Sequence, residues 1–426
     1  MIIKKYNFSY TSSFKKKIFF PKTLDQLNLL LKKKFIIIGN LRSYNDSIIS
    51  NGRYISLSKF NEITDFDKKK KFIEVESGQK LHELNKIILK ENLFLPCTPG
   101  CKYVSIGGMV ANNISGKLLL KNSLRSHIIS IKILDKKNNI VECSKNKNKK
   151  LFYLTIGGRG RTGPIISAKF KLEKIQSNVI YQKNYAFNDF IKFNKSLPKL
   201  KQYKYAVCWL DFTKENFDGI ILAGKHIEKD ERINYQFFDF KLTKILVILV
   251  SLFVNTKFLT IFFNFLFKLK NQIKQKNLLT YNNYFFPQNR IINWNEFFKK
   301  QGFIQFQIYV EKKKLLNLVN FIKADFVEQN LFSNFSILKF HNNHNLNYQK
   351  FSLSLDIPIN KNIKLIKKRL NFYIEKFDLE VDLAKDMSMK KLNKKTLNTN
   401  PLFKISNFKF VNTNFDSSLI KRLQDG

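Results

Sequence analysis

Glycine-rich stretches in the first part of this chain have the residue types of a ligand-binding backbone. Residues 104–117 read VSIGGMVANNISGK, with Gly107 and Gly108 adjacent, and residues 158–163 read GRGRTG. Paired glycines bring no side chain to a core, and they cost backbone entropy. We therefore expect the backbone here to turn with positive φ or to approach something large and flat.

The GRGRTG stretch matches G-x-G-x-x-G, but its surroundings exclude a Rossmann site. That motif requires a helix directly after the loop, because the helix N-terminus holds the pyrophosphate. Here PIISAKFKL follows, which begins with Pro164 and alternates as a strand does. A Walker A motif is excluded too, because Gly116-Lys117 is followed by Leu118 and has no glycine five residues earlier.

Three glycine loops, near residue 39 and at 107–116 and 157–163, still need an explanation. Tight hairpin turns are the simpler explanation for any single loop. The three together favour a ligand site, because several turns that present backbone N–H groups would suit one extended dinucleotide.

The spacing of cysteine and histidine predicts neither a disulfide framework nor a metal centre. Cys97 and Cys101 have no second pair at zinc spacing, and His341 and His344 lie in the turn-like sequence HNNHN. The N-terminus has no continuous apolar segment with a cleavage signal, so we expect a reducing, cytoplasmic setting.

The positive charge of the chain does not by itself indicate nucleic-acid binding. The formal net charge is +44, but the lysines are spread over the whole chain. Their short runs fall where solvated loops are expected. We therefore regard nucleic acid as an unfavoured partner.

Local patterns predict the elements that must position the glycine loops. Thr23 and Gln26 form a capping-box pattern before a leucine-rich helix. We predict strands in KFIIIG and KKFIEVESG, a helix in QKLHELNKIILKENL, a hairpin in HIISIKILDKKNNIVECS, and strand, glycine loop, strand in LFYLTIGGRGRTGPIISAKFKL.

A change in composition predicts the domain boundaries. Eleven of the 15 glycines fall within the first 163 residues, and from about residue 176 aromatic residues, Asn and Lys dominate. Later strands are predicted in YAVCWLDF, FIQFQIYV and FSLSLDIPI. We predict domains at 14–175 and 176–380, followed by a separate segment at 381–426.

Three segments resemble, in order, the FAD-binding domain of the vanillyl-alcohol oxidase / p-cresol methylhydroxylase superfamily. They are IIIGNLRSYNDS (36–47), PGCKYVSIGGMVANNISGK (99–117) and LFYLTIGGRGRTGPI (151–165). Segments 301–310, 337–340, 351–359 and 382–388 resemble the decaprenylphosphoryl ribose oxidases of that superfamily. The implied fold class is α+β, with a two-part FAD-binding domain, a strand-rich α+β cap domain and a C-terminal segment that returns to the FAD domain.

The resemblance implies a set of FAD-binding residues. They are Gly39, Arg42, Ser43, Tyr44, Asn45, Asp46, Gly107, Gly108, Ala111, Asn112, Gly116, Gly158, Gly160, Thr162 and Gly163. Leu41 and Asn45 stand where relatives have glycine, and Ser115 stands where the sugar oxidases have histidine. Arg42 occupies the position of the histidine that carries a covalent flavin in some relatives, which implies that FAD is bound non-covalently.

Oxidation of an alcohol by a flavin needs a group that takes the hydroxyl proton and positive charge near the flavin. The resemblance implies catalytic roles for Lys385, Lys117 and Tyr44, with Lys385 supplying the charge; the sequence does not identify the general base. Gln305 and Gln307 alternate onto one strand face, which suits a sugar. Lys339 and Lys117 could bind a phosphate.

An apolar segment at 242–270 lies within the predicted cap domain. A transmembrane helix would place Lys257 near its middle, at a cost of about 2.5–3.5 kcal/mol. Polar residues recur as a narrow stripe, at Ser251, Asn255, Thr260, Asn264 and Lys268. One or two amphipathic helices fit better. Two alternatives stay open, a buried pair of cap helices and peripheral contact with the inner face of the plasma membrane.

The implied function is FAD-dependent oxidation of a sugar hydroxyl, on a small-molecule or lipid-linked (polyprenyl-phosphate) sugar. The chain would be the oxidase half of an epimerase in cell-envelope polysaccharide synthesis, with an NAD(P)-dependent reductase as its partner. The alternatives are a soluble aldonolactone or 2-hydroxy-acid oxidase, and a non-catalytic basic envelope or nucleic-acid-binding protein on a decayed flavin fold.

Overall fold

The structure is a computed structural model that describes residues 3–135, 137–228, 256–289, 294–298, 301–342, 345–359, 363–385, 389, 393, 396 and 415–424. Ser251, Asn255 and His344 lie outside the described residues, and so does the apolar segment before residue 256. Strands and helices are mixed along both halves of the chain, which confirms the predicted α+β class.

A small parallel sheet forms around the first apolar strand. Strands β3 (Ile18–Phe19), β5 (Arg53–Ser56) and β4 (Phe35–Ile38) pair in that order, beside a hairpin of β1 (Ile3–Tyr6) and β2 (Ser13–Lys16). Helix α1 (Leu24–Leu31) connects β3 to β4. The Oγ1 atom of Thr23 accepts from the N–H group of Gln26 at 3.3 Å, so the predicted cap is confirmed.

A five-stranded antiparallel sheet forms the second part of the first half. Its order is β10-β9-β11-β7-β6, with β6 (Ile63–Asp67), β7 (Phe72–Glu76), β9 (Ile128–Leu134), β10 (Ile140–Ser144) and β11 (Ile165–Lys171). The predicted β9–β10 hairpin is confirmed. Helix α2 (Leu81–Ile88) buries Leu81, Leu84 and Ile88 against this sheet, as its spacing predicts. A short pair, β8 (Leu93–Phe94) and β12 (Glu173–Lys174), lies beside it.

Two predicted elements are wrong. LFYLT is not a strand but belongs to helix α4 (Lys149–Thr155), because a short apolar run that is buried on several sides has no periodicity that distinguishes the two. Gly107 and Gly108 lie in helix α3 (Ile106–Asn112), which Ser105 caps. A Cβ atom on Gly107 would lie 2.9 Å from the Cβ atom of Ser77, so glycine lets this helix approach the end of β7.

An eight-stranded antiparallel sheet dominates the second half, in the order β16-β13-β15-β14-β18-β19-β17-β20. The strands are β13 (Val179–Phe187), β14 (Tyr205–Leu210), β15 (Gly219–His226), β16 (Lys276–Thr280), β17 (Phe303–Glu311), β18 (Phe335–Phe340), β19 (Lys350–Pro358) and β20 (Glu380–Val381). Helices α5 (Phe190–Ser196), α8 (Lys312–Glu328) and α9 (Ile363–Phe377) pack on one face.

The opposite face of this sheet is polar in its central strands. Along β17, Ile304, Phe306 and Ile308 belong to the helix-covered core, so Gln305 and Gln307 point the other way. Cross-strand pairing places further side chains beside them. We call this surface the polar face; it comprises Gln305, Gln307, Lys339, Ser352 and Asp356.

Two helices pack on the same side of the sheet as the polar face. Helix α6 (Lys257–Ile273) places Phe267 against Trp209 of β14, whose cross-strand partner is Ile337. Ile337 is two residues from Lys339, and therefore shares its face. Helix α7 (Tyr281–Phe285) packs into the core of the first half.

The C-terminal segment contacts both halves of the molecule. Strand β20 pairs with β17 of the large sheet. Phe415 pairs with Phe35 of β4, and helix α10 (Ser418–Gln424) follows it. The Arg422 guanidinium binds both carboxylate oxygens of Asp46, at 3.0 and 3.1 Å.

Candidate active site

A cleft with a cavity volume of about 250 Å³ lies where the two sheets of the first half meet the C-terminal segment. All three glycine-rich segments contribute to its lining: residues 36–44 of the first, Gly107, Gly108 and several of their neighbours in the second, and Arg159, Gly160 and residues 163–165 of the third. Ala384 and Lys385 complete the lining from the C-terminal side. Loops distant in the sequence therefore converge on one elongated site.

Close backbone packing explains the glycines at this cleft. A Cβ atom on Gly39 would lie 2.4 Å from Oγ of Ser105, so the first loop can lie against the start of α3 only without a side chain. Gly160 has φ +86°, in the region that L side chains rarely adopt. Gly108, Ala111, Asn112 and Gly163 also line the cleft.

The first loop turns at Leu41, although the residue there is not glycine. Leu41 has φ +51°, a left-handed conformation that costs an L-residue about 1–2 kcal/mol. Its side chain packs against the apolar cluster that contains Ile38 and Ile48. Asn45 has φ −115°, so the backbone at that position does not need glycine.

Buried hydrogen-bond donors point to an anionic ligand in the cleft. In the described part of the chain, Arg42 Nε, Ser77 Oγ and Arg159 Nε are buried without a hydrogen-bond partner, and all three residues line the cleft. A buried polar group left unpaired costs about 1–3 kcal/mol. The pyrophosphate and ribityl oxygens of FAD are acceptors of the kind that these donors lack, so the residues present fit this cofactor.

Five of the predicted cofactor-binding residues do not line the cleft. Asn45 Nδ2 donates to the carbonyl of Leu383 at 2.7 Å, and Asp46 binds Arg422. The other three support the loops from behind: Gly116 lies against the Thr98 backbone, Gly158 lies over the Leu154 carbonyl, and Thr162 Oγ1 accepts from Thr155. Their direct contact with FAD stays a prediction.

Lys385 lies at the junction of the cleft and the polar face. Its Nζ atom donates to Oε1 of Gln305 and lies 3.5 Å from the centroid of the Tyr44 ring. Gln305 Nε2 in turn donates to Asp356 at 2.6 Å, which orients the amide oxygen toward the lysine. Burial, and then the charge of Lys339, lower the pKa of Lys385 to about 7. Burial raises the pKa of Tyr44, and Asp356 adds to this.

Lys117 and Lys339 form a second, partly buried pair of amines. Lys117 Nζ donates to the carbonyl of Tyr284, and Lys339 Nζ approaches Oγ of Ser115 at 3.5 Å. Burial, and then Lys339, lower the pKa of Lys117 to about 7. Burial also lowers the pKa of Lys339, which Asp382 opposes. Because Lys339 perturbs both Lys117 and Lys385, the predicted lysines are brought together.

Two further residues near the site were not predicted. His341 Nε2 lies 2.8 Å from Ser352 Oγ, and burial, followed by Lys339, lowers its pKa to about 3. Arg159 binds Asn112, and its Nη2 atom lies 3.7 Å from Asp382. The position of Arg159 between the two glycines of GRG was a sequence signal that could have identified it. His341 was considered only as a metal ligand. Among the described residues, no group of three or more His, Cys, Asp or Glu could hold a metal ion.

Comparison with known proteins agrees with this geometry. Residues 17–144 match a family described as an FAD binding domain. Decaprenylphosphoryl-β-D-ribose oxidase of Mycolicibacterium smegmatis is 29% identical over 31% of this chain and 29% of its own length. D-lactate dehydrogenase of Anaerostipes hadrus is 30% identical over 31% and 29%, and L-gulonolactone oxidase of Scyliorhinus torazame is 23% identical over 38% and 38%.

The alignments with these relatives cover only part of each protein. The chain spans between 29% and 38% of the length of these three relatives. The family match covers β4, β5 and the first two glycine loops. FAD is therefore the cofactor, and the predicted cofactor is confirmed.

Proposed function

We propose that this chain, which carries an FAD-binding domain at residues 17–144, is an oxidoreductase that oxidises a CH–OH group of a sugar. The observation that carries the proposal is the placement of Lys385. Its amine lies at the edge of the cofactor cleft and binds Gln305 of the polar face. A substrate hydroxyl on the polar face would thus meet both a titratable amine and the cofactor.

FAD, when bound, supplies the hydride acceptor for such an oxidation. Lys385 has a pKa of about 7, so both its neutral and its charged form are populated near neutral pH. The neutral amine can take the hydroxyl proton, and the resulting cation offsets negative charge that develops beside it. Asp356 holds Gln305 so that its amide oxygen faces the amine and keeps it in place.

The polar face supports a sugar substrate. Gln305, Gln307 and Ser352 offer amide and hydroxyl groups that suit sugar hydroxyls. Lys339 and Lys117 add partly buried amines that would offset the charge of a phosphate. A polyprenyl-phosphate sugar combines both groups. The name of the Mycolicibacterium relative, a decaprenylphosphoryl ribose oxidase, supports this class.

The proposed function also includes the way FAD is held and the partner enzyme that would act on the product. FAD is held non-covalently, since Arg42 stands at the position of the histidine that carries the flavin in some relatives. The oxidised sugar would pass to an NAD(P)-dependent reductase, which would complete an epimerisation in cell-envelope polysaccharide synthesis. An aldonolactone or a 2-hydroxy acid is the second candidate substrate, because relatives that are named for these substrates match between 31% and 43% of this chain.

The proposal is tested by mixing the purified protein, without oxygen, with a polyprenyl-phosphoryl pentose, an aldonolactone and D-lactate. Loss of the flavin absorption band with the first compound alone supports the lipid-linked sugar. Loss with the lactone or the lactate would assign the second candidate. Retention of the band with all three, in protein that holds FAD, would contradict oxidation of these substrates.

A further inference from the structure

Helix α6 turns an apolar side toward solvent. We call this side the α6 apolar face; it comprises Phe258, Ile261, Phe262, Phe263, Phe265, Leu266, Leu269 and Ile273. These are eight of the 18 large apolar side chains that are exposed in the described part of the chain. Phe258 and Ile273, near its two ends, are each 77% exposed. Such clustering on one helix marks an interaction surface.

The buried side of the same helix is polar, and its hydrogen bonds determine the orientation of the helix. Thr260 Oγ1 bonds to Oδ1 of Asn334 at 3.0 Å. Asn264 Nδ2 donates to Asp211 at 2.8 Å, and Lys268 Nζ binds both carboxylate oxygens of Asp218 at 2.6 Å. Rotation of the helix would leave these buried groups unpaired, at a cost of about 1–3 kcal/mol for each neutral group and more for a charged one. The outward direction of the α6 apolar face is therefore set by specific contacts.

The charge around the α6 apolar face is positive. Helix α6 has no Asp or Glu, while Lys270 is exposed near its end. Lys274 and Lys276, also exposed, follow directly. An apolar surface bordered by lysines is complementary to a bilayer with anionic headgroups, because the lysines remain beside the phosphates while the rings enter the acyl region.

The dimensions of the helix are those of an interfacial helix. Phe258 and Ile273 are 15 residues apart, or about 22 Å along the axis. No helix in the described part of the chain is long and apolar enough to cross a membrane. A second copy of the chain is a less suitable occupant, because it would bring two positively charged borders together.

We propose that the α6 apolar face inserts into the interfacial region of a bilayer that contains anionic lipid. Membrane docking by this face is a property separate from the proposed oxidoreductase activity, and it does not depend on that activity. One consequence does rest on the proposed function. Helix α6 packs on the side of the large sheet that carries Gln305 and Lys339, so a lipid-linked sugar would approach its binding groups from the membrane side.

The test is flotation of the full-length, FAD-loaded protein with phosphatidylcholine vesicles, with and without phosphatidylglycerol. We expect binding to the vesicles that contain phosphatidylglycerol, and weaker binding as salt is added. The double variant Phe258→Glu/Phe265→Glu should bind them at least about tenfold more weakly. Ile191→Glu is the matched control, because Ile191 is 67% exposed on another helix, and this variant should bind as the wild type does.

Three outcomes would overturn the proposal. The first is wild-type protein that floats with neither vesicle type. The second is a double variant that binds as well as the wild type. The third is a double variant that binds the vesicles as the wild type does but differs from it in one other property. A changed sedimentation coefficient would assign the face to a second copy of the chain. A changed melting temperature would assign it to residues 229–255. Flavin reduction by soluble substrates is measured on the same samples, so that loss of membrane binding and loss of activity are distinguished.

Discussion

The amine of Lys385 lies 3.5 Å from the centroid of the Tyr44 ring and donates a hydrogen bond to Gln305. Three distant parts of the chain meet at this point: the first glycine loop, strand β17 and the C-terminal segment. Burial depresses the pKa of the amine, while Asp382 and Asp356 raise it again. The result is a titratable group at the edge of the cofactor cleft, where oxidation of an alcohol would need one.

Replacement of Lys385 by Met should slow flavin reduction by the substrate about 100-fold or more, because it removes both the proton acceptor and the positive charge. Stopped-flow absorbance without oxygen measures this rate. The flavin content should stay unchanged. Lys225→Met, at an exposed lysine of β15, is the matched control and should react as the wild type does. A reactive Lys385→Met protein would contradict the proposed role.

Burial of Lys117 should make stability depend on pH. Its pKa is about 7 in the folded protein and 10.5 in a model compound, so the unfolded chain binds more protons between these values. The free energy of unfolding should therefore rise with pH through this window, by about 1.4 kcal/mol per unit. Below about pH 7 both states are protonated, so Lys117 should there give no change of the unfolding free energy with pH.

Urea unfolding of the wild type and of Lys117→Met, at several pH values in this window, measures that contribution. The difference in unfolding free energy between the two proteins should shift in favour of the wild type as the pH rises. Parallel curves would show that the amine is not buried as described. Lys225→Met again serves as a control that should follow the wild type.

Replacement of Arg42 by Met should weaken FAD binding about tenfold or more, a loss of about 1.4 kcal/mol. The Nε atom of Arg42 is buried without a partner in the described structure and lines the cleft, so a bound anion would satisfy it. Fluorescence titration of the apoprotein with FAD measures the affinity. Arg53→Met, at an arginine outside the cleft lining, should bind FAD normally. Equal affinities for all three proteins would contradict an anionic ligand at Arg42.

The pair of Asp46 and Arg422 should stabilise the docking of the C-terminal segment on the first glycine loop. A double-mutant cycle with Asp46→Asn and Arg422→Met should give a coupling energy of about 1–2 kcal/mol, because the pair is bidentate and partly buried. Urea unfolding measures each step. The exposed pair of Lys68 and Glu91 is the matched comparison, and its coupling should be below about 1 kcal/mol. Equal coupling in the two cycles would show that burial adds nothing.

Local patterns predicted much of the fold because they reflect local physics. Alternation identified the β9–β10 hairpin, and helical spacing identified the buried side of α2. The strand predicted in LFYLT was wrong, since α4 is buried by its surroundings rather than by a periodic pattern. The prediction that Gly107 and Gly108 lie in a loop was also wrong. Glycine is needed in α3 because the end of β7 lies close to the helix, and no local sequence pattern shows that distance.

The residues of the candidate site were predicted from two sources. The resemblance supplied Lys385, while strand alternation supplied Gln305. Neither source said that these two residues would touch, and the fold pairs them. Asn45 and Asp46 matched the cofactor loop, yet their side chains bind the C-terminal segment. Those partners lie more than 300 residues away in the sequence, so spacing could not indicate them.

By itself, the sequence determined the positions of the glycine loops, the alternation of the strands and the polar stripe of Thr260, Asn264 and Lys268. Only the tertiary structure decided that this stripe faces inward and leaves the α6 apolar face exposed. It also decided which lysines have a depressed pKa. The reason is the same in both cases. Burial and pairing depend on partners such as Asp211, Asp218 and Lys339, which folding brings near from distant segments.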